Sequence, residues 1–149
     1  MKSFVMNTYN RKKVSFVKGD GVYLCDDQNN NYLDALCGLA VTSLGHSNRE
    51  ISKAIHAQSQ TLMHKANAFI IKQQEELAKR LCKLSGLSNV FFCNSGAEAI
   101  EASIKIARKY GNDKKIENPK IIVMENSFHG RTLAALSATG GEKAHKGFY

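Results

Sequence analysis

The chain has 149 residues, 43% of them apolar, with one Pro and no Trp. That composition supports a real core and excludes collagen-like, low-complexity and repeat architectures. Its net charge of +8 comes from 21 Lys plus Arg against 13 Asp plus Glu. The charges alternate in runs such as EELAKR, which describes a solvated surface better than a nucleic-acid groove. Met1 to Asn10 has no apolar h-region, and no window approaches the length of a membrane span, so a cytoplasmic protein is expected. Cys25, Cys37, Cys82 and Cys93 form no C-x-x-C pair. They are expected to pack as small hydrophobes in a reducing compartment, with no metal site.

In chain order, residues 14–17 (VSFV), 22–25 (VYLC) and 32–36 (YLDAL) are short apolar runs separated by the turn-rich KGDG and DDQNNN. They predict a small antiparallel meander. After the apolar segment between Gly38 and Gly45, Ser47 and Glu50 have capping-box spacing, which predicts a helix from there to about Met63. Its apolar stripe would be Ile51, Ala54, Ile55 and Leu62, interrupted by Gln58. A second helix is predicted from about Gln73 to Leu84, with Leu77, Leu81 and Leu84 on one face and Gly86 as its stop.

Residues 89–93, ending Val90, Phe91, Phe92 and Cys93, have the make-up of a buried strand. The period then changes. Ile100, Ser103, Ile104 and Ala107 recur at helical spacing, and Ser95 with Glu98 forms a second S-x-x-E box, so a helix over 97–110, closed by Gly111, is expected. Gly96 lets a ligand approach the backbone, and the unpaired amides of the first turn, with the helix dipole behind them, favour a phosphate. Residues 120–124 (KIIVM) read as another buried strand, which completes a βαβ unit of a parallel sheet. Ligands sit beyond the carboxyl ends of such strands. There the chain places Asn94 to Glu101 and, after the second strand, Glu125 to Thr132 (ENSFHGRT). Phe128 offers a flat apolar face, His129 two ring nitrogens, Gly130 space, and Arg131 a fork that can hold a carboxylate.

Taken together, NTYNR (7–11), KGDGVYLCD (18–26), YLDALCGLAVTSLGH (32–46), FFCNSGAEAIEASIKIARKYG (91–111) and SFHGRTLAALSATG (127–140) resemble, in the same order, segments of the class III pyridoxal-phosphate-dependent aminotransferases. Within that family they are most similar to members that act on N-acetylornithine. The resemblance implies an α/β chain of the fold-type I transferases, present in part. Residues 1–58 would supply antiparallel strands and a helix of the small domain, and 59–149 the first βαβ part of the large cofactor-binding domain.

The same resemblance implies that Ser95, Gly96 and Ala97 hold the phosphate of pyridoxal 5'-phosphate, that Phe128 stacks on its pyridine ring, and that Arg131 grips the substrate α-carboxylate. Asn94 would fix the turn and Glu101 would have a supporting role. The implied reaction passes the terminal amine of N-acetylornithine to 2-oxoglutarate, in arginine biosynthesis, in a protein that is a homodimer at full length. Relatives acting on ornithine, 4-aminobutyrate, succinyldiaminopimelate or other ω-amines share the cofactor motifs. A small basic module for nucleic acid or phosphorylated ligands is a further alternative from a different class.

The family's Schiff-base lysine and the aspartate that meets the pyridine nitrogen lie downstream of anything aligned with Tyr149, so no catalytic residue is assigned. The expectation is an amino-terminal portion, poorly soluble and without transaminase activity by itself. Smaller departures from the family pattern fall at Asn48 and Arg49, and at Lys65 and Ala66 after His64.

Overall fold

A computed structural model describes residues 3–141 and 145–148. The contacts divide the chain into two units, Met1–Ile70 and Ile71–Tyr149.

In the first unit, β1 (Phe16–Asp20), β2 (Tyr23–Asp26) and β3 (Asn31–Leu33) form the expected antiparallel meander in the order β1-β2-β3. The register slips between Phe16 and Lys18, and Phe16 meets Tyr32 edge-on with ring centroids 5.4 Å apart. Gly21, at φ +52°, supplies the left-handed residue at the tip of the first hairpin. The second turn is built on one carboxylate. Asp26 Oδ1 accepts the amides of Gln28 at 2.9 Å and Asn30 at 2.8 Å, while Oδ2 accepts Asn30 Nδ2 and the Tyr32 hydroxyl, both at 3.0 Å.

Past the meander comes α1 (Cys37–Ala40), a single turn whose backbone is left-handed: φ is +50° at Cys37, +60° at Gly38, +62° at Leu39 and +63° at Ala40. Each non-glycine residue there costs about 1–2 kcal/mol. Asp34 anchors the turn by accepting the amides of Leu36 at 3.0 Å and Cys37 at 2.9 Å through Oδ1. Its Oδ2 meets His46 Nε2 at 2.7 Å. His46 is itself fastened to the hairpin tip through a two-way backbone bridge with Gly21.

Helix α2 (Arg49–Thr61) starts one residue later than a cap at Ser47 would place it. Ser47 has φ +54° and donates its hydroxyl to the Gly19 carbonyl at 2.6 Å, so it is spent on the hairpin. Asn48 caps instead, its Oδ1 accepting the amides of Glu50 and Ile51. Gln58, the polar break in the apolar stripe, has a use at the other end, where its Nε2 donates to the Leu62 carbonyl at 2.8 Å.

The carboxyls of Asp26 and Asp34 both lie below the usual carboxylate range. The first cause is the Asn30 side-chain bond for Asp26 and the His46 bond for Asp34. A depressed folded value means that each contribution is complete above the unfolded carboxylate range, about pH 4, and is lost as pH falls through the lower folded value. Amide-exchange protection of Gln28 and Asn30, corrected for intrinsic rates, should therefore hold near neutrality and fall in acid. Asp26→Asn should remove that acid-dependent fall, and an identical fall in both chains would refute the assignment.

The second unit contains α3 (Lys72–Ser85), stopped as expected by Gly86 at φ +73°, then α4 (Gly96–Asp113) and α5 (Leu133–Ala138). Two expectations change. Gly111 does not end α4; it is buried in its last turn, where a Cβ would come within 2.7 Å of Pro119 Cβ, so glycine serves close packing. Residues 89–93 and 120–124 flank α4 in the expected order but make no ladder among the described residues, whose one sheet is β1-β2-β3. A parallel strand needs an extended neighbour along its edge, and neither run has one there.

Burial concentrates where α4 meets α5, the helix pair in contact, with Ala135, Leu136, Thr139 and Gly130 buried. Large apolar side chains elsewhere stay open, among them Leu84, Ile122 and Met124. No helix among the described residues is long and apolar enough to cross a membrane.

Candidate functional site

The site is an open cleft of about 740 Å³ lined by the start of α4 and by the loop that leads into α5. Gly96, Ala97, Ala99 and Ile100 come from the helix, and Phe128 to Thr132 from the loop. Helix α4 begins within a residue of its predicted start because Ser95 is an extended N-cap whose Oγ accepts the Glu98 amide at 3.2 Å. Glu98 completes the box one residue further back than usual. Its Oε2 accepts the Asn94 amide at 2.6 Å and Asn94 Nδ2 at 3.1 Å, which holds the turn that Asn94 enters.

These bonds leave the donors at the helix start available. The amides of Gly96 and Ala97 have no helical carbonyl one turn behind them to bond. Ser95 Oγ accepts a bond from Glu98 and retains its own proton to donate. Beyond its chain neighbours and its own helix backbone, nothing described stands within 4 Å of where a Gly96 Cβ would project, so that side of Gly96 is open. Two backbone amides, a hydroxyl and the positive end of an 18-residue helix are a donor set suited to a phosphate.

Across the cleft, Gly130 is buried and keyed between the two helices. A Cβ on it would meet Ala97 Cβ at 2.9 Å and Ala135 Cβ at 3.0 Å, and its φ is +136°. His129 turns its amide to Thr139 Oγ1 at 3.0 Å, and Thr139 in turn donates to the Ala135 carbonyl at 3.0 Å. Phe128 is two-thirds exposed, and the Arg131 guanidinium carbon lies 5.6 Å from its ring centroid. The cation therefore stands beside a flat aromatic surface open to the cleft.

All the candidate residues drawn from the sequence, Ser95, Gly96, Ala97, Phe128 and Arg131, border or cap this one cleft. Thr132, which donates to Glu101 Oε1 at 2.5 Å, and Thr139 also shape it. Neither was singled out from the sequence. Thr139 lies ten residues from its partner with no local pattern to link them, while Glu101 sits four residues after Ala97, on the same helix face. Among the described residues no cluster of His, Cys, Asp or Glu could hold a metal, and all four cysteines are free.

Comparison with known proteins gives the cleft its context. Residues 5–149 match the family described as Aminotransferase class-III. The acetylornithine aminotransferase of Nitrosomonas europaea is 58% identical over 146 residues, which cover 98% of this chain and 37% of that protein. Among solved structures, the ornithine aminotransferase of Toxoplasma gondii ME49 superposes with a TM-score of 0.91 at 30% identity, over 98% of this chain and 35% of that one. An omega transaminase of Pseudomonas jessenii in complex with PMP gives a TM-score of 0.83 at 34% identity, over 91% of this chain and 31% of its own. The chain thus spans little more than a third of the curated relative it matches.

Proposed function

This chain belongs to the class III aminotransferases, and on that premise we propose that its cleft is the phosphate-and-ring part of a pyridoxal-phosphate site serving amino-group transfer from N-acetylornithine to 2-oxoglutarate. Enzymes of this family depend on pyridoxal phosphate. The observation that carries the reading is the convergence on one cleft of an anion-ready helix start and a loop bearing Phe128 and Arg131. The amides of Gly96 and Ala97, with the Ser95 hydroxyl, hold the phosphate. Phe128 supports the pyridine ring on its open face, and Arg131 binds a substrate carboxylate in fork geometry. When bound, the cofactor supplies an electron sink for the bonds at the amino-bearing carbon. The residues of this chain supply anchoring and orientation, which limits the bound substrate to a productive alignment.

The preference for acetylornithine rests on the 58% identity to the Nitrosomonas europaea enzyme, against 30% to the Toxoplasma gondii ornithine aminotransferase. In the complete enzyme, residues 1–58 would belong to the small domain and 59–149 to the large one, and the subunits would pair as a homodimer.

The binding reading can be tested on the chain itself by equilibrium dialysis. Pyridoxamine phosphate is the suitable probe, because it has no aldehyde to react with surface lysines. Saturable one-to-one binding is expected, competed by inorganic phosphate and at least about tenfold weaker for pyridoxamine, which lacks the charged phosphate. Equal binding of pyridoxamine and its phosphate would sink the anion-site assignment.

A further inference from the structure

We infer that Glu101 is a positioning residue for this cleft: by accepting the Thr132 hydroxyl it holds the Phe128–Arg131 loop at one fixed offset from the Gly96 and Ala97 amides. The inference rests on the cofactor reading above and extends it to a residue pair outside the anion and ring contacts. Thr132 is the N-cap of α5, the place where a threonine hydroxyl ordinarily bonds the first turn of its own helix, yet it makes no side-chain cap bond. Its hydroxyl goes instead to Glu101 Oε1, 31 positions away in sequence, at 2.5 Å. A carboxylate acceptor makes this a charge-assisted bond, stronger than the cap it replaces.

The rest of the loop explains why the bond matters. Gly130 is wedged against Ala97 and Ala135, and the His129 amide is tied to Thr139, so the middle of the loop is set by packing and its start by Thr139. Arg131 lies just after the wedge and just before Thr132. The Glu101 bond therefore closes the segment at its far end and joins α5 to the second turn of the same helix whose first turn offers the anion site. A ligand that touches both the helix start and the loop needs this offset. A bare phosphate touches the helix start alone.

That difference separates positioning from general structural support. In Thr132→Val, which keeps the shape and removes the donor, pyridoxamine phosphate should bind about tenfold more weakly while inorganic phosphate binds within about twofold of wild type. Thr132→Ser, which restores the hydroxyl, should recover wild-type binding. Unchanged pyridoxamine phosphate affinity in Thr132→Val, or an equal loss for both ligands, would overturn the inference.

Amide exchange provides a readout independent of the cofactor. Gly130 to Leu133 should exchange about tenfold faster in Thr132→Val, with recovery in Thr132→Ser and no change at the centre of α4. If the wild-type chain binds neither ligand, the cofactor reading fails, and the exchange experiment still decides the Glu101 bond: unaltered exchange in Thr132→Val refutes it.

Discussion

Replacing Gly130 by valine should destabilise the second unit by about 3 kcal/mol and abolish pyridoxamine phosphate binding. Two independent effects converge at this position. A φ of +136° is a conformation that a β-branched residue does not adopt without strain. Even an unstrained Cβ would sit 2.9 Å from Ala97 Cβ, 3.0 Å from Ala135 Cβ and 3.2 Å from Ala97 Cα. None of these atoms is the far end of a flexible side chain, so relief requires α4 and α5 to separate. Their contact holds the buried residues Ala135 and Leu136. Urea unfolding followed through helical circular dichroism measures the loss. A midpoint equal to wild type would mean that the close approach of loop and helices is absent in solution.

Valine at Gly96 should give the opposite dissociation of effects, with the fold retained and the ligand lost. Apart from its chain neighbours and the backbone of its own helix turn, no described atom lies within 4 Å of the position its Cβ would take, so no other part of the chain must move. A β-branched residue in the first helical turn costs only a few tenths of a kcal/mol, about 0.5 at most. The side chain would occupy the space in front of the helix start, where the phosphate is proposed to sit. Exclusion from two amide bonds to a charged group should weaken pyridoxamine phosphate by about 100-fold. Retained binding in Gly96→Val, with the fold intact, would place the anion elsewhere. Comparing the two glycines is informative because one is defined by crowding and the other by emptiness.

Much of this arrangement is readable from residue order. The period-two runs around KGDG and DDQNNN give the meander, and the 3.6-residue period with Ser95 and Glu98 gives α4 to within one residue at its start. What fails is local pattern overruled by a distant partner. Ser47 has the sequence of a cap, but the Gly19 carbonyl, brought close by the hairpin, takes its hydroxyl and leaves Asn48 to cap α2. Gly111 reads as a helix stop until Pro119 packs on it. Residues 89–93 and 120–124 have the composition of buried strands, but composition cannot supply the neighbouring edge that a ladder needs.

The candidate site follows the same division. Ser95 to Ala97 announce themselves by capping chemistry, and Phe128 and Arg131 by residue type. Glu101 and Thr132 become linked only when two helices separated by a long loop are brought together. The left-handed turn at Cys37 to Ala40 is equally silent in sequence, since Gly38 is its one residue with intrinsic freedom there. Its stability comes from Asp34, whose carboxylate gathers two amides and the His46 ring.

In the proposed reading, the start of α4 is an anion site shared with the Phe128–Arg131 loop in a single cofactor cleft. Amide chemical-shift mapping of the isotope-labelled chain during titration with pyridoxamine phosphate tests it most directly. The largest shifts should fall on Gly96 and Ala97 together with Phe128 to Arg131, and inorganic phosphate should reproduce only the first group. Shifts confined to other segments, or a response at Gly96 and Ala97 to pyridoxamine as strong as to its phosphate, would contradict it.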